Sequence, residues 1–465
     1  MNDIIQETAE HISKEFGLQM ELLVGGGHDI SKSAIKFKEV LDQAGARIVE
    51  RAMEELNQAL VESKDRKTNW VVKNKADRKT LCTQFGEVRY VRTCFQNKTT
   101  GECCYLADEM AGIEPHERMD ASLKAEMITE AIDRSYKKSA GAVVPAMQFS
   151  AQTVMNAIRE LGKVENREAK CSLLNEGRRS VPILYIEADE DHVALQDGRC
   201  AEPKLVYVHE GRRKVGKNRW ELVNVRCFGG MYPKSEDLWL EVADYLEQAY
   251  EMKDVERVYL SGDGATWIKS GVQWIQKSEF VLDGYHLLKY VKKATSHMPY
   301  MERYMWEYLN GGDRRNLRIL FDAIVEGTED KRRKEAVYEA RSYMFRHWEA
   351  IKRRQGEAYG GCSAESHVSH IYSARMSSRP LGWSVEGADQ MARLRVFSKN
   401  GGNIYDLVME RKLRAKREMR EEQRDRRIQL KRRRTAYYKN VENLTVLGIG
   451  KRTNLFRAIH AVRAV

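Results

Sequence analysis

Proline is scarce in this chain, which also lacks the cysteine pattern of a secreted protein and any apolar run long enough for a membrane. With 7 prolines in 465 residues and 42% apolar side chains, the composition indicates a folded, helix-rich protein of two or three domains. The amphipathic start "MNDIIQETAEHISKEFG" does not have the form of a signal peptide. We therefore expect a soluble, cytoplasmic protein without a membrane partner.

The cysteines are scattered. They stand at 82, 94, 103, 104, 171, 200, 227 and 362, and no two form a C-x-x-C pair. This spacing favours free thiols over a structural zinc site. Cys94, Cys103 and Cys104 flank the turn signal "NKTTGE" and predict a hairpin. Cys362, His367 and His370 lie close enough along the chain to suggest zinc, but a fourth ligand is missing, and DNA contact or polar packing is the alternative.

Two phosphate-binding loops are also missing. The stretch "ERVYLSGDGATWIKSG" runs as an apolar strand up to Asp263, which stands between Gly262 and Gly264. Both the P-loop and the dinucleotide fingerprint would require a glycine where this chain has Trp267. What remains is either a turn or an acid that extends past the carboxyl end of a buried strand, where α/β sheets place their ligands.

The charge is concentrated near the end of the chain. The formal net charge is +11, and between positions 410 and 434 thirteen Lys or Arg stand against five acids, which gives +8. The run Lys431, Arg432, Arg433 and Arg434 exceeds what solubility needs, so double-stranded DNA is the expected partner. A solvated helix face is the alternative.

Changes in periodicity predict six regions. They are 1–115, helices and short strands; 116–178, a helix-turn-helix-like DNA-binding region; 179–296, the first part of a catalytic core; 297–358, a helical insertion; 359–409, the C-terminal helix region of the core; and 410–465, a basic tail. In the second region Ser150 is the predicted N-cap of a helix. Gln152, Thr153 and Asn156 on the outer face of that helix are the candidates for base contacts.

The core region predicts an α/β fold. Its elements follow the order βββαβαβα, with three hairpin-joined strands and then crossovers. This order is typical of a ribonuclease H-like core, here with a helical insertion and a mostly helical N-terminal DNA-binding region.

Three acids stand out in this order. Asp189 lies in the middle of the first strand, Asp263 ends a later one, and Glu365 begins the helix after the insertion. Converging carboxylates repel one another unless cations neutralise them. Oxygen ligands favour Mg²⁺, with Mn²⁺ as a substitute, and two such ions about 3.5 to 4 Å apart would serve phosphodiester cleavage or strand transfer. We interpret the glycines beside Asp263 as leaving room for a metal-bound phosphate, and Glu187, Glu190 and Asp191 as solvated neighbours.

The sequence resembles a known family in several passages. They are "FGEVRYVRTCF", "YIEADEDHVALQ", "YLSGDGATWIKSG", "VLDGYHLLKYVKK" and "GCSAESHVSHIYSARMSSRPLGWSVEGADQMARLRVFSKNGG". They resemble the signature blocks of ISLre-type insertion-sequence transposases, a DDE group distantly similar to Mutator-like enzymes. The resemblance covers nearly the whole chain and is strongest from 183 to 402. It implies a homo-oligomeric, nucleoid-associated bacterial enzyme that acts on element ends and target DNA, with Asp189, Asp263 and Glu365 as catalytic metal ligands.

Some assignments stay open at this point. Glu386 in "WSVEGADQM" is an alternative third acid, and Asp283 with His286 matches a D-x-F/Y-H block of the family. A domesticated, non-catalytic DNA-binding protein is a second possible function, although all three acid positions are filled. A ribonuclease H-like nuclease without strand transfer is a third, because water and a 3′ hydroxyl are activated by the same metal pair.

Overall fold

Apolar residues repeating at two periods produce a mixed α/β fold. The structure is a computed structural model that describes residues 2–144, 147–170, 177–217, 219–379 and 382–442, with Asn454 and Arg457. Residues Met1–Ile404 form one unit and Tyr405–Val465 a second. Within the described residues, no helix combines the length and apolar character needed to cross a membrane.

The first unit begins with helices and a long hairpin. The elements are α1 (Asn2–Val24), α2 (Ile30–Glu62), α3 (Lys64–Asn69), β1 (Trp70–Thr83), β2 (Gly86–Asn97), β3 (Cys103–Cys104) and α4 (Leu106–Met110). The strands are longer than predicted, because β1 and β2 pair from Trp70 opposite Asn97 to Thr83 opposite Gly86. The predicted cysteine hairpin is confirmed by the pairing of β2 with β3. The seven described cysteines are free thiols, and Cys171 lies outside the described residues.

A group of helices follows. They are α5 (Ala121–Asp133), α6 (Tyr136–Ala142) and α7 (Ala151–Leu161). Ser150 caps α7 as predicted, since its hydroxyl accepts the Thr153 N–H at 3.1 Å. The segment 143–150 between α6 and α7 is longer than the three- to four-residue turn of a helix-turn-helix. Pro145 and Ala146 in this segment lie outside the described residues.

A five-stranded mixed sheet forms the centre of this unit. The strands from here onward are β4 (Ile183–Glu190), β5 (Val193–Ala194), β6 (Cys200–Ala201), β7 (Lys204–His209), β8 (Arg212–Lys214), β9 (Trp220–Leu222), β10 (Arg226–Gly230), β11 (Arg257–Gly262) and β12 (Ser278–Leu282). The central sheet has the order β10-β7-β4-β11-β12. Its first three strands are antiparallel, and β11 lies parallel to both β4 and β12.

Helices cover this sheet. They are α8 (Ser235–Ala249), which leads from β10 to β11, α9 (Thr266–Ser270) and α10 (Gly284–Thr295). Alternate residues of β4, namely Leu184, Ile186 and Ala188, are fully buried in a core cluster that includes Trp239 of α8. The same alternation sends Glu187 and Asp189 to the other face of the sheet.

The predicted insertion is helical. It contains α11 (Met301–Asn310), α12 (Arg314–Glu326), α13 (Lys331–Arg346) and α14 (Trp348–Arg353), and α13 packs on α10. Then come α15 (Ala364–Val368), a π-helical turn at Ser369–Ser373, α16 (Ala374–Met376) and α17 (Val385–Lys399). The long α18 (Ile404–Glu442) accounts for most of what is described of the second unit.

Candidate carboxylate site

Three aspartates form a row across the carboxyl ends of the parallel strands. Ser261 of β11 is in register with Glu187 of β4, so two residues further on Asp263 stands beside Asp189. The 74 residues that separate the two aspartates equal the register offset of the two strands. In the same way Gly262 pairs with Leu282, which places Asp283 on the other side of Asp263. Because neighbouring strands lie about 4.8 Å apart, this edge concentrates acid groups.

Asp189 is held inside the protein. It is the next-to-last residue of β4 rather than a mid-strand residue as predicted, and it is 7% exposed. Burial raises the pKa of Asp189 to about 7; the charges of Glu365 and Asp263 add to the rise, and the Glu190 N–H and the charge of His286 oppose it. A cation at this place would therefore relieve an electrostatic strain that the fold itself creates.

Packing explains the glycines beside Asp263. A Cβ on Gly262 would lie 2.8 Å from the Ala188 carbonyl oxygen, so only glycine lets β11 approach β4 there. Gly264 has φ +93°, and a Cβ on it would lie 2.6 Å from the His347 ring. The sharp bend is thus confirmed, but our interpretation that both glycines clear space for a phosphate is wrong, since protein atoms fill that space. Asp263 Oδ1 closes the bend by accepting the Ala265 N–H at 2.7 Å.

Asp283 and His286 form the far end of the row. Asp283 is 4% exposed and caps α10 by accepting the Tyr285 N–H. Its other oxygen bonds His286 Nδ1. Burial lowers the pKa of His286, but the hydrogen bond and charge of Asp283 and the charges of Asp189 and Asp263 raise it overall. The acid row thus favours the protonated form of His286, the residue that the sequence placed three positions after Asp283.

Glu365 reaches the site from the helix that follows the insertion. It lies in the first turn of α15, and its side chain is exposed. Its charge acts on Asp189, as noted above. Glu386, the alternative third acid, is an exposed residue in the first turn of α17, where Ser384 is the cap.

A buried network fixes the start of α15. Glu187 of β4 is 1% exposed and accepts hydrogen bonds from the N–H and the hydroxyl of Ser363, the cap of α15. His209 Nε2 lies 3.0 Å from Glu187 Oε1, and the Tyr207 hydroxyl donates to Oε2, the same oxygen that Ser363 contacts. Although burial alone would raise the pKa of Glu187, the hydrogen bonds and charge of His209, with Tyr207 and Ser363, lower it to about 2.

Glu187 is therefore a residue whose importance the sequence analysis missed. Glu190 and Asp191, which the sequence also suggested were solvated neighbours of Asp189, are partly buried and buried, respectively. Glu190 accepts the Trp267 Nε1–H, and Asp191 accepts the Ser377 hydroxyl at 2.8 Å. The signal for Glu187 was available, since the period of two placed it on the face of Asp189.

The helical insertion also contacts the site. The Tyr343 hydroxyl of α13 donates to the backbone carbonyl of Asp263. The Tyr343 ring stacks on Tyr290 of α10 at 3.8 Å between centroids. With His347 beside Gly264, α13 therefore supports the loop that carries Asp263. No local sequence signal marks these contacts, because their partners are remote in the chain; Asp263 and Tyr343, for example, lie 80 residues apart.

The donor set fits hard divalent cations, with Asp189, Asp263 and Glu365 as the residues that could hold them. As the side chains stand, no three His, Cys, Asp or Glu residues in the described part of the chain are close enough to enclose an ion. Cys362, His367 and His370, the residues that suggested zinc, are likewise not arranged around a common point. The His367 ring instead packs against Tyr207 at 4.4 Å between centroids, and burial lowers its pKa to about 4.

The candidate DNA-contacting residues lie on two elements. Gln152 and Asn156 are exposed on α7 and bond each other at 2.8 Å. Thr153 is partly buried, and its hydroxyl lies 3.0 Å from the Ser150 hydroxyl. Its side chain is therefore less exposed than a residue on the outer face of α7 was predicted to be. Lys431, Arg432 and Arg433 are exposed on α18, and the side chain of Arg434 lies outside the described residues.

Fold and site together define a mixed α/β protein with a carboxylate cluster at the carboxyl edge of its parallel strands. Residues 26–413 match the model of the "Uncharacterised protein family (UPF0236)", and the chain belongs to this family.

Relatives cover the whole length of the chain. A UPF0236 protein of Caldanaerobacter subterraneus subsp. tengcongensis is 41% identical over 472 residues, which cover 99% of this chain and 97% of the relative. Another from that organism is 40% identical with the same coverage, and its name joins eleven loci. The "UPF0236 protein in vanSb 3'region" of Streptococcus gallolyticus is 24% identical and covers 85% of both chains. Many paralogues thus occur in one genome, which is consistent with an association with mobile elements.

Proposed function

We propose that the protein is a DDE transposase of the ISLre type, which cleaves DNA at the ends of an insertion sequence and transfers the strands to target DNA. The observation that carries the proposal is the in-register placement of Asp189 and Asp263 on neighbouring parallel strands, with the charge of Glu365 acting on Asp189. A buried carboxyl whose pKa is raised by burial and by acidic neighbours is what a cation-dependent phosphoryl-transfer site requires.

The strand order supports a ribonuclease H-like core. Three antiparallel strands, β10, β7 and β4, are followed at one edge by the parallel strands β11 and β12. This is the arrangement expected from the order βββαβαβα, in which hairpins join the first three strands and crossovers join the rest. Such a sheet brings the first and second acids together at one edge.

Three acids would coordinate Mg²⁺ or Mn²⁺. Asp189 and Asp263 are fixed by adjacent strands, and Glu365 would close the site from α15. The ions, when bound, activate the attacking oxygen and stabilise the leaving one. The chain's own contribution is to orient the carboxylates. Glu187 holds Ser363 at the start of α15, and Tyr343 holds the backbone of Asp263.

Charge supports DNA as the partner. Residues 410–434 carry +8, and Lys431, Arg432 and Arg433 are exposed on α18. Such a helix can neutralise phosphates of the element ends and of the target. Assembly as a homo-oligomer on DNA, in the bacterial cytoplasm and at the nucleoid, is part of the proposal. The many loci that share one relative's name in a single genome also suit an element that copies or moves itself.

The test is cleavage of a duplex that carries the element's own ends. We expect strand cleavage with Mg²⁺ or Mn²⁺, and binding without cleavage with Ca²⁺. Joined products with a target plasmid would distinguish a transposase from a nuclease. Binding without cleavage in both Mg²⁺ and Mn²⁺ would instead support a domesticated DNA-binding protein. Undiminished cleavage in excess chelator would contradict the metal-dependent mechanism.

A further inference from the structure

A basic hairpin projects from the connection between β7 and β10. In it Arg213 pairs with Glu221 and Lys214 with Trp220. Positions 211–222 contain five Lys or Arg and one acid, so the segment carries a net +4. The side chains of Arg213 and Arg219 are 71% and 77% exposed, and each lies 3.7 Å from a carboxylate oxygen of Glu221, so two cations share one acid. Because its three-residue strands contribute little to the core, the composition of this hairpin points to a role at the surface.

The hairpin borders an aromatic recess. The recess has a volume of about 350 Å³ and is lined by Tyr185, His209, Gly211, Arg212, Trp220, Gly360 and Gly361. Trp220 is 58% exposed, and Lys214 Nζ lies 6.0 Å from the centroid of its ring. None of the described residues that line the recess is acidic. Exposure of the large Trp220 indole to water is unfavourable. Because cationic side chains surround the indole, the recess suits a flat, electron-rich ligand.

We propose that this hairpin binds an unpaired base of the DNA substrate, with Trp220 as the stacking surface and with Arg213 and Arg219 on the adjoining phosphates. The inference rests on the proposed function, since it takes DNA as the ligand. An acidic peptide or a lipid headgroup would engage the cations but leave the indole unused. A paired base is stacked on both faces within the duplex, so the base must come from a strand end or a single strand.

The recess adjoins the segment that leads to Glu365. The Tyr185 hydroxyl donates to the Ala358 carbonyl, and a Cβ on Gly361 would lie 3.5 Å from Arg212 Nη1. A base bound in the recess would therefore contact the chain just before Ser363, which Glu187 anchors. Binding there would order the approach to α15. An unpaired terminal base should thus speed cleavage as well as strengthen binding.

The experiment compares two DNA duplexes in Ca²⁺, where binding is measured without cleavage. One carries a single unpaired terminal nucleotide, and the other carries an abasic residue at that position. Trp220→Ala should weaken binding of the first by about five- to 150-fold and leave binding of the second unchanged. Trp220→Phe should retain most of the affinity. Equal loss on both duplexes, or no loss on either, would overturn the inference.

Charge variants provide a second, independent measurement. Arg213→Ala and Arg219→Ala should each reduce the slope of log affinity against log salt by about 0.7 to 0.9 on both duplexes. Lys253→Ala, at a lysine with a 76% exposed side chain outside the hairpin, is the matched control and should leave the slope unchanged. Unchanged slopes in both arginine variants would contradict the assigned phosphate contacts.

Different results would contradict the proposed function and the assignment of the hairpin. If wild-type protein binds neither duplex, both the proposed function and this inference are wrong. If wild-type protein binds and cleaves the element ends while Trp220→Ala does so equally well, the hairpin assignment alone is wrong. Circular dichroism melts of each variant show that the protein is folded during the comparison.

Discussion

The carboxylate of Glu187 accepts hydrogen bonds from both the backbone N–H and the hydroxyl of Ser363, which lies 176 residues later in the chain. Glu187 is two residues before Asp189 on β4, and Ser363 is two residues before Glu365 at the start of α15. One buried contact therefore sets the relative position of the first and third candidate acids. The contact joins β4 to the start of α15, two elements from distant parts of the chain that carry Asp189 and Glu365.

Glu187→Gln should separate positioning from binding. The amide keeps the size of the side chain but loses the charge, and its NH₂ group would face donors, so we expect a stability loss of about 1.5 to 3 kcal/mol. Below the melting transition, single-turnover cleavage should fall while DNA affinity stays near that of the wild type. Ser363→Ala, which removes the 3.1 Å hydroxyl bond and keeps the N–H, should give a smaller change in the same direction. Wild-type cleavage by folded Glu187→Gln protein would show that the contact is structural.

Substitution of the acids tests the candidate site directly. Asp189→Asn and Asp263→Asn keep the shape of the side chains but remove the charge that would hold a cation, so cleavage should fall below detection while folding and DNA binding persist. Because the Asp189 carboxyl is buried and strained by its acidic neighbours, Asp189→Asn should melt no earlier than the wild type. Single-turnover cleavage, gel shifts and thermal melts provide the three readouts.

The same assays decide between the two candidate third acids. Glu365→Gln should abolish cleavage like the aspartate variants, because its charge acts on Asp189. Glu386→Gln, an exposed residue at the start of α17, should cleave at the wild-type rate. The reverse result would move the third acid to Glu386.

The exposed basic run on α18 should govern salt-dependent binding. Replacing Lys431, Arg432 and Arg433 with Gln removes three positive charges, so the slope of log affinity against log salt should fall by about 2 to 3 on duplex DNA. The loss should be similar for all sequences, since phosphate contacts carry no sequence information. An unchanged slope would identify the segment as a solvated helix.

Sequence periodicity sufficed for the parts of the site that depend on local pattern. It predicted the strand that contains Asp189 and the strand that leads into Asp263, because each has an apolar run followed by an acid, but it placed Asp189 in the middle of its strand rather than next to the end. It could not give the register that places the two side by side, since a strand ladder is set by packing on both faces. Glu187 shows the same limit, because its burial depends on His209 and Ser363, which are remote in sequence.

The outer face of α7 should carry sequence-specific contacts if the region binds DNA in a groove. Gln152→Ala and Asn156→Ala should each cost about 1 to 3 kcal/mol of discrimination between the element ends and unrelated DNA. Thr153→Ala should act differently, because its partly buried hydroxyl lies beside the capping Ser150, and should lower stability rather than specificity. Competition gel shifts with element-end DNA and unrelated DNA measure these effects. Equal losses of affinity on both DNAs would show that Gln152 and Asn156 contact the DNA backbone rather than the bases.

Gly264→Ala should destabilise the loop that carries Asp263 by more than the cost of a left-handed backbone conformation. Gly264 and Gly101 both have positive φ, +93° and +74°, but a Cβ at Gly101 meets no atom within 4 Å, whereas one at Gly264 would lie 2.6 Å from the His347 ring. Gly101→Ala should therefore cost only the left-handed conformation, about 1 to 2 kcal/mol. Gly264→Ala should add an overpacking cost of about 1 to 3 kcal/mol.

The clash also predicts a specific rescue. His347→Ala should remove the ring from the path of the new Cβ, so the double variant should recover the overpacking cost relative to its parent single variants in a double-mutant cycle. Cleavage should follow the position of Asp263, falling in Gly264→Ala and returning in part with His347→Ala, while Gly101→Ala cleaves normally. Denaturant midpoints and single-turnover rates measure both effects. If Gly264→Ala costs no more than Gly101→Ala and cleaves at the wild-type rate, then the contact with His347 does not constrain the loop that carries Asp263.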